Sequence, residues 1–405
     1  MQSAEVTATT PGTLDTFGLR RVLVVLCATE ITSWGVLYYA FPVLAPSLAA
    51  DTGWSVPAVT AAFSAGLVVS AIVGIPIGRL LDRIGPRPVM TVGSLLAVPA
   101  VLIVALAGSF PLFVGGWLLS GVAMAGVLYP PAFAALTRWW GPRRVTALTA
   151  VTLLGGLAST VFAPLTAALL EHLGWRQSYL VLAAVLAAVT IPAHLFGLRG
   201  PWPAPEPHPA DREDHAPTAI SHSRPFVLLV TAVGLTSFTA FAVVVNQVPL
   251  FIERGLSTTA AAWALGLGGV GQVLGRLGYG RLTAATDVRT RTVLIMSGTA
   301  VATALLAMVP GPPALLIATA MLTGSARGVA TLLQATAVTD RWGATHYGRL
   351  GGILSAPAVL ATAVAPFAGA AFAQLFGGYP PVFVLLAAVA GVAAVLGVWT
   401  VPRRT

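Results

Sequence analysis

Three charged side chains stand inside otherwise apolar runs of this chain: Glu30, Arg276 and Arg327. A charge near the centre of a bilayer costs about 2.5–3.5 kcal/mol on insertion scales, so a charge kept there marks a candidate site. Arg276 has Gln272 one helical turn before it, on the same face. A planar guanidinium captures a carboxylate or similar oxyanion through two parallel N–H bonds, so this pair is a candidate anion grip. An internal ion pair or a helix-packing role is the other reading. Arg327 lies in Gly324-Ser325-Ala326-Arg327-Gly328, where small residues allow another helix to come close. It could bind the same anion, or pair with Glu30 or with backbone carbonyls. Glu30 is followed by Trp34 and Tyr38 at helical spacing. A carboxylate in a low-dielectric site can hold a proton near neutral pH, so Glu30 could carry a proton, or could equally be the fixed partner of an arginine. Tyr39, Tyr129, Asn246 and Gln247 are further polar handles. The histidines show no His-Glu-x-x-His spacing and there is no P-loop, so neither a metal, a cofactor nor ATP is expected, and no catalytic residue is assigned.

The elements that must carry these residues follow from composition. Of 405 residues, 57% are hydrophobic and 9% charged, against about 25% charged in a soluble domain. So much apolar surface requires lipid as its solvent. A span takes about 20 apolar residues, and twelve spans with short loops fill the chain. The net charge of +9 comes from arginine alone, since there is no lysine. The arginines stand singly or in pairs between apolar runs, which argues against nucleic acid as a partner. Cys27, inside the first apolar run, can form no internal disulfide. The polar stretch 1–18 carries no cleavable signal pattern, so the first helix is expected to direct insertion.

Spans are read at roughly 20–48, 56–80, 88–108, 110–136, 146–170, 177–198, 225–250, 258–282, 291–309, 312–337, 350–375 and 380–401. With both termini in the cytoplasm, 18 of the 22 arginines fall on the cytoplasmic side. Arg176 and Arg254 fall outside, and Arg276 and Arg327 fall within spans. The positive-inside rule thus supports twelve spans. The segment 199–224 is rich in Pro, charge and His and reads as a flexible cytoplasmic linker. Its histidines His208, His215 and His222 are spaced too loosely to suggest a metal site. It separates six-helix bundles at 1–198 and 225–405, which resemble each other at a shift of 202–203 residues. Gly78-Arg79-Leu80 recurs as Gly280-Arg281-Leu282, Arg138-Trp139 as Arg341-Trp342, and Ala163-Pro164 as Ala365-Pro366. An even number of helices per repeat makes the repeats parallel, about an axis along the membrane normal. Arg276, Gln272 and Arg327 correspond to Gly74, Ser70 and Met124, and Asn246 to Val43. Polar residues that break the symmetry of a repeated scaffold are the ones expected to serve a ligand.

The loop between spans 2 and 3 reads Gly78-Arg79-Leu80-Leu81-Asp82-Arg83-Ile84-Gly85-Pro86-Arg87. It resembles the loop signature of the major facilitator superfamily, and the resemblance covers the whole chain. It implies an all-α membrane protein with the major facilitator fold, two parallel six-helix repeats, and a cavity lined by helices 1, 4, 7 and 10. It also implies a gate at Gly78, Asp82, Arg83, Gly85 and Arg87, where a carboxylate meets an arginine and a helix end on the cytoplasmic side. In the second repeat Asp287 is displaced, so a weaker gate is expected there.

A narrower resemblance is to monocarboxylate and oxalate–formate carriers. It rests on Tyr39-Ala40-Phe41-Pro42, on Gly126 through Pro131 to Arg138-Trp139-Trp140, on Gly174-Trp175-Arg176, and on Gln272 with Arg276. In those carriers the span 8 arginine grips the carboxylate. Val43 stands where mammalian monocarboxylate carriers have lysine, and span 11 has no charge. The expectation is a non-enzymatic, monomeric secondary transporter in the cell membrane. Its substrate would be a small organic anion, moved by alternating access with a proton as a candidate coupling ion. Export of a drug-like or secondary metabolite stays open as the alternative, with a transporter-like ligand sensor as a remote one.

Overall fold

The computed structural model describes residues 14–202, 216–343 and 347–402. The linker histidines His208 and His215 and the loop residue His346 lie outside them. The described chain is helical almost throughout. Its long helices are α3 (Val56–Ile84), α4 (Pro86–Leu106), α5 (Phe110–Val127), α8 (Ala158–Pro192), α10 (Arg224–Glu253), α11 (Thr258–Ala285), α12 (Val288–Met308), α13 (Pro313–Thr336), α15 (Tyr347–Phe376) and α16 (Tyr379–Gly397). Shorter pieces are α1 (Thr16–Trp34), α2 (Ala40–Thr52), α6 (Tyr129–Trp140), α7 (Arg144–Gly156), α9 (Ala216–His222) and α14 (Thr339–Trp342).

Ten segments are long and apolar enough to cross a membrane, where the sequence leads one to expect twelve. Both differences have a physical reason. The stretch Thr146–Gly197 runs 52 residues, enough for two crossings, and its chain turns at Gly174 with φ 76° and ψ 171°. That backbone conformation strains any residue with a Cβ. The helix α11 has 28 residues but is interrupted by glycines and by Arg276 and Arg281, which lowers its hydropathy.

Two spans are broken where they reach the site. Between α1 and α2 the residues Gly35–Tyr39 form a π-helical turn. Pro42 cannot donate to the carbonyl of Tyr38, and its ring crowds it, so the ladder widens there. Gly35 sits so close to the Phe162 ring that a Cβ would overlap it. The break between α5 and α6 is at Leu128, in extended conformation (φ −88°, ψ −170°). Pro130 and Pro131 fit only in the first turn of a helix, so a new helix begins at Tyr129.

The N-terminal helices α1–α8 meet the C-terminal helices α10–α16 through α3 with α15, α8 with α11, and α2 with α10. The Phe367 N–H donates to Ser64 Oγ at 3.1 Å, and Thr160 Oγ1 to the Gly266 carbonyl at 2.7 Å. These contacts lie toward the end that carries Gly53 and Gly255. At the arginine-rich end, the last turns of α3 and α11 are largely exposed. Among the described residues, the hydrogen bonds between these two sets run from Arg276 and Thr152 outward to the Gly53 end and none lies closer to the arginine-rich end. The two sets of helices are thus hydrogen-bonded to each other from their middle to the Gly53 end.

The helices α11 and α13 approach at backbone distance. A Cβ on Gly324 would run into the Gly268 carbonyl, and one on Gly328 into the Gln272 carbonyl. Glycine-lined contact of this kind is how helices associate where no hydrophobic effect drives them.

Candidate functional site

The two arginines singled out in the sequence come together where the two sets of helices meet. Arg276 on α11 and Arg327 on α13 are each 8% exposed, and Gln272 is 6% exposed. Gln272 Oε1 accepts a short hydrogen bond from Arg327 Nη2. The close approach of α11 and α13 makes this possible, since it brings one face of each helix within reach of the other. Arg276 Nη1 donates to the Thr152 carbonyl at the end of α7, reaching across to the N-terminal helices. That carbonyl lies next to the break at Leu157, between α7 and α8. Tyr129 and Tyr39 face Arg276 from the N-terminal side, and Tyr38 faces Arg327. Neither arginine has a carboxylate within ion-pair distance among the described residues. Arg276 Nε and Arg327 Nε are buried without a partner. The result is a cationic pair with donors to spare, which is what an anion binds.

Opposite stands an aromatic wall that the broken spans build. Trp34 lies 5.1 Å from Tyr129, 5.5 Å from Tyr38 and 6.5 Å from Tyr39, measured between ring centroids. Tyr38 follows Trp34 at ordinary helical spacing, and the wider π turn brings in Tyr39, five residues on. Tyr38 is buried and its hydroxyl has no partner, nor has the Trp34 indole N–H. Beneath lies Glu30, 0% exposed, with neither carboxylate oxygen hydrogen-bonded. Trp34 stands one turn away, yet no bond of ordinary geometry joins the two. Among the described residues Glu30 is paired with neither arginine.

The other expected site residues fall elsewhere. Asn246 is turned away from the arginine pair. Its Nδ2 donates to the Ala242 carbonyl at 2.9 Å and the Pro366 carbonyl at 3.3 Å, tying α10 to α15, with Gly369 against it. Its neighbour Gln247 lines a narrow cleft beside Arg327, among α10, α11, α12 and α13. Thr299, Thr303 and Thr323 also line that cleft. Sequence reading passed over these threonines because threonine is common in membrane helices and bonds to its own backbone. It also missed His194, buried near the end of the sixth span, with Nδ1 2.8 Å from Ser94 Oγ.

The expected gate residues stand at the arginine-rich end. Asp82 Oδ1 is 2.5 Å from Arg138 Nη2, within the N-terminal helices rather than across to the C-terminal ones. The Asp82 carbonyl accepts from the Trp202 indole at 3.1 Å, and the Arg138 guanidinium lies 4.6 Å over the Trp202 ring. Gly85 (φ 84°) sits against that ring, and Arg87 Nε donates to the Leu195 carbonyl at 2.9 Å. Arg83 and Gly78 are exposed. The second copy is built differently. Asp287 caps α12, and the N–H and hydroxyl of Thr290 that it accepts hold its carboxyl below the usual range. Asp340 takes over pairing, 2.5 Å from Arg291, while Arg341 donates to Thr400 and Thr292.

A helical bundle with broken spans and a cationic pair between its helices can be compared with known proteins. The sequence model of the Major Facilitator Superfamily matches residues 23–312 and 227–405. The chain belongs to the Major Facilitator Superfamily. Membership places it among multi-pass membrane transporters rather than enzymes. Among facilitators, it is 28% identical over 263 residues to monocarboxylate transporter 13 of Rattus norvegicus, covering 62% of this chain and 56% of that one. It is 31% identical over 251 residues to monocarboxylate transporter 11 of Homo sapiens, covering 60% and 51%. It is 28% identical over 225 residues to the multidrug resistance protein MdtL of Salmonella schwarzengrund, covering 54% and 55%. The matches thus span little more than half the length of these curated relatives. The fold is similar to a bacterial homolog of the human lysosomal transporter Spinster, in an inward-facing and unoccupied conformation. The TM-score there is 0.76 at 14% identity, covering 96% of this chain and 98% of the other.

Proposed function

We propose that this facilitator is a secondary carrier of a small, monocarboxylate-like organic anion. It would cross the cell membrane twelve times, with bundles at 1–198 and 225–405, a linker at 199–224 and both termini in the cytoplasm. The observation that carries the reading is the pair Arg276 and Arg327, with Gln272 accepting from Arg327 and no carboxylate partner among the described residues. Two buried guanidiniums with no counter-ion are costly, and an anionic substrate offsets that cost. The similarity to monocarboxylate transporters supports the same substrate class. Asymmetric charge also supports it, since the repeat equivalents of both arginines are uncharged. Glu30, buried and unpartnered beside Tyr129, is the group proposed to carry a coupling proton, and the Asp82–Arg138 pair the latch of the cytoplasmic gate.

Uptake of labelled monocarboxylates into proteoliposomes tests this directly. Wild type should accumulate label, and Arg276→Ala should lose it by about 10- to 150-fold, the weight of one charged hydrogen bond. Equal uptake by the two proteins would remove Arg276 from the site. A second reading, export of an aromatic drug-like compound, is favoured by the wall of Trp34, Tyr38, Tyr39 and Tyr129 and by the similarity to MdtL. It predicts raised drug tolerance on expression, with little dependence on Arg276.

A further inference from the structure

Trp202 stands outside the loop signature, yet it holds the gate at three points. Its indole N–H donates to the Asp82 carbonyl at 3.1 Å, its ring lies under the Arg138 guanidinium at 4.6 Å, and the same ring fills the space beside Gly85. A Cβ on Gly85 would come within 3.1 Å of that ring, and the φ of 84° already disfavours one. Trp139 fastens Trp202 in turn. The two rings meet edge to face, with centroids 5.5 Å apart and planes at 86°, and the Trp139 indole N–H donates to the Pro201 carbonyl at 2.9 Å. Arg138 and Trp139 are neighbours near the end of α6, so one helix end supplies both the latch arginine and the residue that fixes Trp202.

The ring does for Arg138 what the ion pair cannot do alone. Arg138 donates to the Asp82 carboxylate and, at 3.3 Å, to the Asp82 carbonyl. An exposed pair gives up much of its Coulomb gain to side-chain entropy, because two side chains must be held in one geometry. A guanidinium lying on an indole face is attracted to it, and so is already ordered when it meets the acid. The second repeat holds the same arginine by hydroxyls and a carbonyl in place of a ring. Arg341, the equivalent of Arg138, donates to the Thr400 carbonyl at 3.1 Å, to Thr400 Oγ1 at 3.0 Å and to Thr292 Oγ1 at 2.6 Å. It makes no ion pair among the described residues. The positions that match Trp202 at the repeat shift are Arg404 and Thr405, so the ring belongs to the first repeat.

We propose that Trp202 is a positioning residue of the cytoplasmic gate: it holds the Arg138 guanidinium in line with Asp82, so that the pair forms and breaks together with the docking of Trp202. The proposal rests on the reading of Asp82–Arg138 as a latch and adds a residue that acts through it. Trp202 lies where the chain leaves the N-terminal helices, so its docking ties that point of the chain to the latch.

Spin labels on Gly78→Cys and Gly280→Cys read the gate without a substrate. Both positions face open space toward the arginine-rich ends of α3 and α11, and Cys27 is buried. Asp82→Asn is expected to shift the distribution of label distances. Trp202→Ala should shift it in the same direction, changing the ratio of populations about two- to fivefold. The double variant should go no further than Asp82→Asn alone, which is the sign of a residue acting through the pair. Trp202→Phe keeps a ring under Arg138 and should stay near wild type. Trp202→Leu takes the place of Trp202→Ala if that variant melts well below wild type. If Asp82→Asn moves the distribution and the folded Trp202 variant does not, the positioning role is overturned. The same holds if the Trp202 effect adds in full to that of Asp82→Asn. If Asp82→Asn moves nothing, the latch reading fails and the role of Trp202 with it.

Discussion

At the scale of single residues, the site depends on charges that lack their usual partners. Arg276 reaches the Thr152 carbonyl on the far side of the bundle interface and keeps further N–H groups for a ligand. Lysine is a compact point charge and cannot reproduce the planar fork, so Arg276→Lys is expected to recover little of the activity lost in Arg276→Ala. Initial uptake rates at fixed protein orientation measure this, and near-complete rescue by lysine would show that charge alone suffices. Glu30 forms no ion pair with either arginine among the described residues. Glu30→Gln keeps shape and hydrogen-bonding capacity but cannot release a proton. It is expected to abolish pH-driven accumulation while preserving counterflow exchange of substrate. Loss of both together would make Glu30 a structural residue instead.

At the scale of elements, close helix contact and broken helices place those charges. The Gly324–Gly268 approach lets Gln272 reach Arg327. Gly324→Ala must push the two backbones apart and is expected to cost about 1–3 kcal/mol of stability. Gly298, on α12, faces open space, so Gly298→Ala should be neutral or slightly stabilising. Thermal melts of both in one detergent provide the comparison. The gate differs in kind. Its Asp82–Arg138 pair is 55% and 19% exposed, and such a pair is worth at most about 1 kcal/mol. Asp82→Asn is therefore expected to leave the melting temperature near wild type while lowering the transport rate. A parallel fall in both would mean that the contact with Arg138 and Trp202 holds the fold rather than the gate.

At the scale of the whole molecule, the hydrogen bonds between the two sets of helices lie from Arg276 to the Gly53 end among the described residues. The lone native cysteine, Cys27, is buried, so introduced thiols can be read against a low background. Gly78→Cys, in open space, should react readily with a charged maleimide, and Ser64→Cys, under Phe367, slowly. Saturating substrate that speeds the second and slows the first would be the signature of alternating access. The opposite order without substrate would contradict the arrangement described.

What was legible in the sequence was whatever depends on solvent and on repetition. Lipid as solvent follows from 57% hydrophobic and 9% charged residues, and the candidate charges follow from their rarity in apolar runs. The repeat separated Arg276, Gln272 and Arg327 from positions the scaffold merely duplicates. Direction and partnership were not legible. Asn246 and Gln247 are adjacent in sequence, yet one ties α10 to α15 and the other lines a cleft, because neighbours on a helix point about 100° apart. Tyr39, five residues after Trp34, joined the aromatic wall through the π turn at Gly35–Tyr39, which widens the spacing of an ordinary helix. Asp82 was expected to meet an arginine, and only the structure identifies that arginine as Arg138, 56 residues away on its own set of helices. Composition and pattern determined that this chain lives in a membrane and which charges it keeps there. The tertiary structure alone decided which of those charges meet and which stay without a counter-ion, because that depends on backbones approaching at glycines far apart in the chain.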